Sequence, residues 1–336
     1  MIIGMASQNA TAVGVIAMKY ISIPGLNRGC SQIVLGTSLF TPERKDAVFA
    51  ILDAYVELGG NTLDTARIYS LGKSEEVLGM WLEARRNRQQ LIIINKCCHH
   101  YIDEHNKHYP EQQRVQPNMI TEDLQESLER MKVSYFDLYL LHRDDSRVPV
   151  GELFDVLEAH RRAGRIRAYG VSNWSTQRIT EAMRYTAAQG YAGIAVNNPS
   201  FSLAHINEPR WEGCVYADHD DIHWHEKTQM PLFSWAAQAS GFFTGLFTPE
   251  NAPNPDIKRV YYNQGNWERF RRAGQLAAVK GKNFTANHIA LAYVLNQSFP
   301  TCAVIGPQTT AELTASFSAL PIKLTLQELA WLDLCD

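Results

Sequence analysis

GGNTLDTARIYS (59–70), LIIINK (91–96) and FDLYLLH (136–142) decide how this chain is read. Each holds a short apolar or β-branched run, the pattern of a buried strand. Each also delivers polar groups at or just past the end of that run: Asp64 and Tyr69 from the first, Lys96 from the second, His142 from the third. If the three strands share a sheet, an acid, a phenol, an amine and an imidazole meet at one end of it and tune one another's proton affinities. The phenol is the informative member. With an unperturbed pKa of about 10 it is a poor acid at neutral pH, and a neighbouring ammonium is expected to lower that value.

The same alternation runs outward in both directions. SQIVLG (31–36) precedes these stretches; RIRAYGVS (165–172), GIAVNN (193–198), MPLFSW (230–235) and CAVIG (302–306) follow them. Amphipathic segments lie between. PERKDAVFAILDAYVEL carries an expected apolar stripe of Ala47, Ile51, Ala54 and Leu58, and EEVLGMWLEARR one of Val77, Leu78, Trp81 and Leu82. Thr41-Pro42 and Pro149 mark helix starts, and Gly59-Gly60 and Gly164 mark helix ends. Eight strands alternating with helices predict an α/β fold, a closed (β/α)8 TIM barrel. The competing doubly wound sheet needs a GxGxxG turn and an acidic ribose partner after its first strand, and the chain has neither there. Active sites of such barrels form at the C-terminal strand ends, where the four polar groups fall.

Two long connections are expected at that face. Residues 203–229 follow the sixth strand, and the stretch from Gly241 to about Asn266 follows the seventh. Connections of this length are usually functional or disordered. Their Trp211, Trp224, Phe242, Phe243, Tyr261, Tyr262 and Trp267 either wall a substrate pocket or pack the loops onto the rim.

The chain has 336 residues, 45% of them apolar, enough for a large core. A net charge of -3 with interspersed signs offers no basic field for nucleic acid. No apolar run approaches the ~18 residues that cross a bilayer, and the N-terminus lacks the charged start of a secretory signal, so a cytoplasmic protein acting on small molecules is expected. Residues 1–17 show neither turn chemistry nor periodicity. They are expected to form an extension, a candidate for disorder, ahead of a single domain over 18–336, with Met18 a candidate natural start. The six cysteines are irregularly spaced in a chain too large to need staples, so reduced thiols are expected.

Two clusters resemble metal sites. Cys97, Cys98, His99 and His100 are adjacent, whereas zinc ligands come in pairs separated by about two to four residues, because neighbours on a strand face opposite ways. No metal is expected there; one or two of these side chains should line the pocket beside Lys96. His219, Asp220, Asp221, His223 and His225 read as a solvated polar stretch. Arg143, Asp144 and Asp145 read as rim residues.

Asp64 paired with Lys96 would hold an ammonium beside Tyr69, making the phenol a usable proton donor, with His142 adding a hydrogen bond. That equipment suits protonating an alkoxide as hydride reduces a carbonyl. The alternative, Lys96 as the Schiff-base nucleophile of an aldolase-like barrel, needs a depressed amine pKa, which a paired aspartate opposes.

LGTSLF, GGNTLDTARIYSLGKSEEVLG, IIINK, DLYLLHRDD, AGRIRAYGVSNW and CAVIGPQTTAEL together resemble, in order and spacing, the landmarks of the aldo-keto reductases over almost everything from Met18 onward. The resemblance implies the same barrel and makes Asp64, Tyr69, Lys96 and His142 the catalytic tetrad, with Tyr69 the general acid in reduction and the general base in oxidation. It implies a nicotinamide dinucleotide lying across the barrel mouth without a Rossmann fingerprint. The cofactor contacts it assigns are Gly36, Thr37 and Asp64, then Ser172 and Asn173 at the carboxamide and Trp235 stacked on the ring. Ser240 and Gly241 fall at the pyrophosphate, and Gly306, Gln308, Glu312 and Ser316 at the adenosine half.

Two departures stand out. Asn198, or Asn197, occupies the place of a usual glutamine, and nothing from Cys302 to Pro321 is cationic. Glu312 would repel a 2'-phosphate and could accept from a free ribose hydroxyl, so the expectation leans to NAD(H), with NADP(H) left open through Lys258 or Arg259. The function implied is an NAD(P)(H)-dependent oxidoreductase acting on an aldehyde, ketone or sugar carbonyl. Arg67, Arg143, His99 and Asn198 near the mouth suggest a hydroxylated, sugar-like substrate. The alternative is a cofactor-sensing regulatory module that keeps the tetrad with little turnover.

Overall fold

A computed structural model describes residues 18–335, so the expectations about 1–17 lie outside the described residues. Eight strands form the barrel: β1 Ile33–Gly36, β2 Thr62–Asp64, β3 Ile92–Cys97, β4 Phe136–Leu141, β5 Ile166–Ser172, β6 Ile194–Asn198, β7 Leu232–Ser234 and β8 Thr301–Ile305. Each pairs in parallel with the next, and β8 pairs back onto β1, which closes the barrel. Helices α1 Lys45–Glu57, α2 Lys73–Arg85, α3 Pro117–Met131, α4 Val150–Arg162, α5 Thr176–Ala188 and α6 His219–Thr228 lie between successive strands. After β7 come α7 Pro255–Tyr261, α8 Gln264–Lys280 and α9 Ala286–Leu295, and α10 Thr310–Phe317 follows β8.

Period-two alternation divides the apolar residues into two cores. Val34, Ile92, Ile94, Leu138, Leu140, Val196, Phe233 and Cys302 fill the barrel interior. Their neighbours Ile33, Leu35, Leu63, Ile93, Tyr139, Leu141 and Val171 pack outward against the helices. A short antiparallel hairpin, Tyr20–Ile21 with Cys30–Ser31, adds Ile23 and Cys30 to the interior cluster. Crowding inside the barrel explains one glycine: a Cβ on Gly170 would lie 2.5 Å from the Val196 carbonyl oxygen.

The expected stripe on α2 is buried. On α1 the buried face is Val48, Ile51, Leu52 and Tyr55 instead, and Ala47 is exposed. Both sets have helical spacing, and the bulkier one wins because it buries more apolar area. The Tyr55 hydroxyl also reaches the Thr62 carbonyl at 2.7 Å, pinning α1 to β2.

The connections after β6 and β7 are mostly structured. Phe242 packs on Trp267 at 4.7 Å and on Phe243 at 5.3 Å, and Trp267 on Tyr262 at 5.0 Å. Phe242, Phe243, Tyr262 and Trp267 thus hold the loop to the barrel rim, while Tyr261, buried beside them, also lines a small cavity with Trp235 and Arg210. Trp224 donates to Thr180 Oγ1 on α5. Trp211 remains half exposed, 6.0 Å from Trp235. All six cysteines are unpaired, and no helix among the described residues is long and apolar enough to cross a membrane.

Candidate active site

Strand parity selects the residues of the mouth. Val34, Ile94, Leu140, Val196 and Phe233 face inward, so two residues further on Gly36, Lys96, His142, Asn198 and Trp235 share that face. Asp64 ends β2 opposite Ile94, two residues before Lys96 on β3. Lys96 Nζ lies 2.6 Å from Asp64 Oδ1, 2.9 Å from the Tyr69 hydroxyl and 3.2 Å from the Thr65 carbonyl. Tyr69 arrives from a 3-10 turn, Tyr69–Gly72, and meets the His142 ring edge-on at 5.7 Å. All four residues of the opening stretches therefore converge.

The electrostatics differ from the sequence expectation in one respect. Burial pushes the Lys96 amine down, but Asp64 and Tyr69 more than offset it, so its pKa is raised and it stays an ammonium. That state is wrong for a Schiff-base nucleophile. For Tyr69, burial raises the phenol and Lys96 lowers it, with burial dominating, so the net direction is upward and the phenol keeps its proton at neutral pH. His142 is held well below its usual value, first by burial and then by His99, Arg143 and Lys96, and is a neutral imidazole. Its buried Nδ1 has no hydrogen-bond partner among the described residues.

An outer layer fixes the end of β3. Asn95, facing outward, donates to Glu75 at 2.6 Å, and Glu75 is ion-paired with Arg130. Asp123 accepts from the Cys98 backbone N–H at 2.9 Å and pairs with Arg114 at 2.5 Å and Arg67 at 3.1 Å, holding Cys98 in a left-handed conformation (φ 61°). Arg67 also pairs with Glu126, which removes it from the expected substrate contacts. Asn198 Nδ2 donates to the Phe233 carbonyl, and Asn197, facing outward, donates to His225 Nε2 at 3.1 Å. Of the pair, Asn198 therefore stands at the mouth, with its amide N–H engaged.

The residues assigned by resemblance to a cofactor all lie at or past the C-terminal ends of barrel strands. Ser172 Oγ donates to Asn198 O at 2.8 Å. Asn173, at φ 59°, donates to His142 O at 3.2 Å and accepts from Val215 N at 3.1 Å and Trp235 Nε1 at 3.3 Å. Asparagine tolerates that left-handed backbone better than most residues. Gly36 is packed against β8, since a Cβ there would sit 2.9 Å from Val304 Cγ1 and 3.0 Å from the Ile305 carbonyl oxygen. Thr37 has the opposite parity: it is fully buried, with Oγ1 2.8 Å from Ser74 Oγ and 3.1 Å from Asp64 O, so its side chain braces the β1–β2 joint. Ser240 (φ 53°) and Gly241 (φ 85°) turn sharply after β7, and Arg210 donates to Ser240 Oγ. Beyond β8, exposed Gly306 leads to Gln308, whose N–H donates to Glu312 Oε2 at 2.7 Å, and Ser316 Oγ donates to Glu312 O at 3.0 Å.

The cation missing from 302–321 is supplied from elsewhere. Arg44, just before α1, donates to both the Gln308 side chain and the Gln308 carbonyl, the latter at 3.1 Å. This removes the ground for leaning to NAD(H). Arg259 does not fill that role: it is tied to Glu208 and to the carbonyls of Pro209 and Arg210. The signal for Arg44 was topological. In a closed barrel β1 neighbours β8, so the loops that follow them are adjacent.

The structure separates the Cys97–His100 run. Cys97 and Cys98 join the helix-side core, while the His99 ring lies 4.8 Å from the His142 ring. His108, missed in the sequence, joins His99 and His100: one ligand nitrogen from each lies within 4.8 Å of the others. In the second cluster, Asp218 and Asp221 form the capping box of α6, and His225 is buried between Asn197 and the Met230 carbonyl.

A protonated phenol beside an ammonium at this mouth can give a proton to an oxygen on which negative charge develops. Comparison with known proteins gives the family and the fold. The Aldo/keto reductase family model matches residues 32–336. An uncharacterized oxidoreductase, YrpG, of Bacillus subtilis is 24% identical, covering 94% of this chain and 95% of its own. The NADP(+) aldo-keto reductase yakc of Schizosaccharomyces pombe is also 24% identical, covering 94% and 89%. In fold, a glycerol dehydrogenase from Gluconobacter oxydans matches with a TM-score of 0.76 at 24% identity, covering 94% of each chain. An aldo-keto reductase from Klebsiella pneumoniae, solved in complex with NADPH, matches with a TM-score of 0.69 at 21% identity and covers 95% of each. The chain belongs to the aldo/keto reductase family of oxidoreductases.

Proposed function

We propose that this protein reduces an aldehyde or ketone with NADP(H), Tyr69 giving the proton, and runs the reverse reaction on the alcohol. The observation that carries the reading is the Lys96 ammonium, held 2.6 Å from Asp64 and 2.9 Å from the Tyr69 hydroxyl. As a carbonyl oxygen gains negative charge, the Tyr69 proton moves to it, and the phenolate left behind is stabilised by Lys96. Asp64 keeps that ammonium charged in a buried site. His142, a neutral imidazole edge-on to Tyr69, orients the carbonyl oxygen by hydrogen bonding.

The residues present fit a nicotinamide dinucleotide. Ser240, Gly241 and Arg210 make a cationic turn suited to a pyrophosphate. Ser172, Asn173 and Trp235 would hold the nicotinamide end, which supplies the hydride when bound. Arg44 at Gln308 is the charge partner for a 2'-phosphate, and the NADP(+) in the name of the Schizosaccharomyces relative supports that choice. The substrate contacts still available to a sugar-like molecule are His99 and Arg143, fewer than the sequence suggested.

The test is oxidation of NADPH and NADH by purified protein over a panel of aldehydes, ketones and sugars. Turnover with at least one carbonyl, faster with NADPH, is expected. Cofactor binding without turnover anywhere in the panel overturns the enzymatic reading.

A further inference from the structure

His99, His100 and His108 form a cluster for which the proton-transfer reading has no use. Past β3, the left-handed Cys98 redirects the chain, and the hairpin Tyr101–Ile102 with His108–Tyr109 folds His108 back over His100. His100 Nε2 and His108 Nδ1 share a hydrogen bond at 2.9 Å, whose proton a metal would displace, and one ligand nitrogen from each of the three rings lies within 4.8 Å of the others. Ligand nitrogens on a tetrahedral zinc are about 3.3 Å apart, given bonds of about 2.0 Å. The observed spacings bracket that value, so small side-chain rotations suffice.

The hydrogen bonding also suits a metal. His99 Nδ1 lies 3.1 Å from the His100 carbonyl, which can only accept, so Nδ1 carries the proton and Nε2 keeps its lone pair. Anchoring of one ring nitrogen on a backbone carbonyl is how metal-binding imidazoles are oriented. The hairpin answers the spacing objection raised in the sequence, because the third ligand comes from eight residues beyond His100 and not from the adjacent cysteines.

We propose that His99, His100 and His108 form a binding site for a first-row divalent transition metal of the zinc type, with the fourth position open. An all-imidazole set favours zinc, copper, nickel or cobalt over magnesium or calcium, which take oxygen ligands. The opposing charge is Arg143, a buried guanidinium with no ion-pair partner among the described residues, which donates to the His142 carbonyl. It disfavours a bare dication and favours an anion, chloride or hydroxide, as fourth ligand. The His99 ring is 4.8 Å from His142, so the metal would sit one imidazole away from the tetrad. It would also fasten a hairpin of two residues per strand, which has little stability alone.

The test is titration of chelator-dialysed protein with cobalt(II), read by its visible ligand-field absorption, followed by competition with zinc. One equivalent is expected to bind with the intense bands of four-coordinate cobalt, and zinc is expected to displace it. His108→Ala, on an exposed position of the hairpin, and His100→Gln should each weaken binding by more than the roughly 10–100-fold that an outer-shell change costs. Zinc should slow hydrogen exchange over residues 101–109 in the parent protein and leave His108→Ala unaffected. Absence of stoichiometric binding, or equal affinity in the parent and His108→Ala, overturns the site.

Discussion

Arg44 holds Gln308 from across the barrel seam, its guanidinium donating to the Gln308 carbonyl at 3.1 Å although 264 positions separate the two. On the proposed reading, a cation so placed would serve a 2'-phosphate and have little to offer a free ribose hydroxyl. Arg44→Gln is therefore expected to raise the KM for NADPH by about 10–100-fold, the loss of one charge-assisted contact worth roughly 1.5–3 kcal/mol, and to change the KM for NADH far less. Parallel kinetics with the two cofactors check this; an equal effect on both would move Arg44 out of the phosphate site.

Removing the Tyr69 hydroxyl takes away the proton and one hydrogen bond of Lys96, which keeps its partner Asp64. Tyr69→Phe should lower kcat for reduction by about 100- to 10,000-fold. NADPH affinity, read by quenching of tryptophan fluorescence, should stay close to that of the parent. Retained turnover would exclude Tyr69 as the donor.

The raised pKa of Tyr69 has a direct kinetic consequence. Reduction needs the protonated phenol, which is the form present below its pKa, and that value lies above the ordinary one of about 10. The kcat for reduction should therefore show no Tyr69-dependent loss as pH rises from neutrality to 9. A pH–rate profile falling with a midpoint near 8 would contradict it.

Buried neutral imidazoles make the fold acid-sensitive. His225 donates from Nδ1 to the Met230 carbonyl at 2.8 Å, and burial holds its pKa at about 4 against 6.5 when free. Because the folded value is the lower one, its stabilisation is complete above pH 6.5 and is lost as pH falls toward 4, by roughly 3 kcal/mol at 1.36 kcal/mol per unit. Urea unfolding of the parent at pH 7 and pH 4.5 should show the loss, and His225→Asn should show a smaller one whatever its absolute stability.

Asp123 carries the positioning of Cys98, two residues beyond Lys96, through its bonds to the Cys98 N–H, Arg114 and Arg67. Asp123→Ala leaves Arg114 and the buried Cys98 N–H without their acceptor, while Arg67 keeps Glu126, and should destabilise the protein by about 3–5 kcal/mol. Thermal or denaturant unfolding measures it. A change below about 1 kcal/mol would show that Glu126 takes over the pairing.

Most of the architecture could be read from residue order because alternation is a local property. Apolar runs of four to eight residues separated by amphipathic stretches admit few arrangements, and all eight expected strands appear within two residues of their expected ends. The same period of two also tells which side chains reach the mouth: counting from Ile94 to Lys96 and from Leu140 to His142 places both inside. The α1 face was ambiguous because two stripes share helical spacing, and only packing against β2 chooses between them.

The order of residues alone thus determined the barrel and the meeting of Asp64, Tyr69, Lys96 and His142, since strand parity and strand-end placement depend on near neighbours. Tertiary structure decided what depends on closure and enclosure. Bringing β8 beside β1 set Arg44 against Gln308, and folding the 101–109 hairpin set His108 against His100. Burial, which no local pattern measures, turned the Tyr69 pKa upward where a neighbouring ammonium alone would have turned it down.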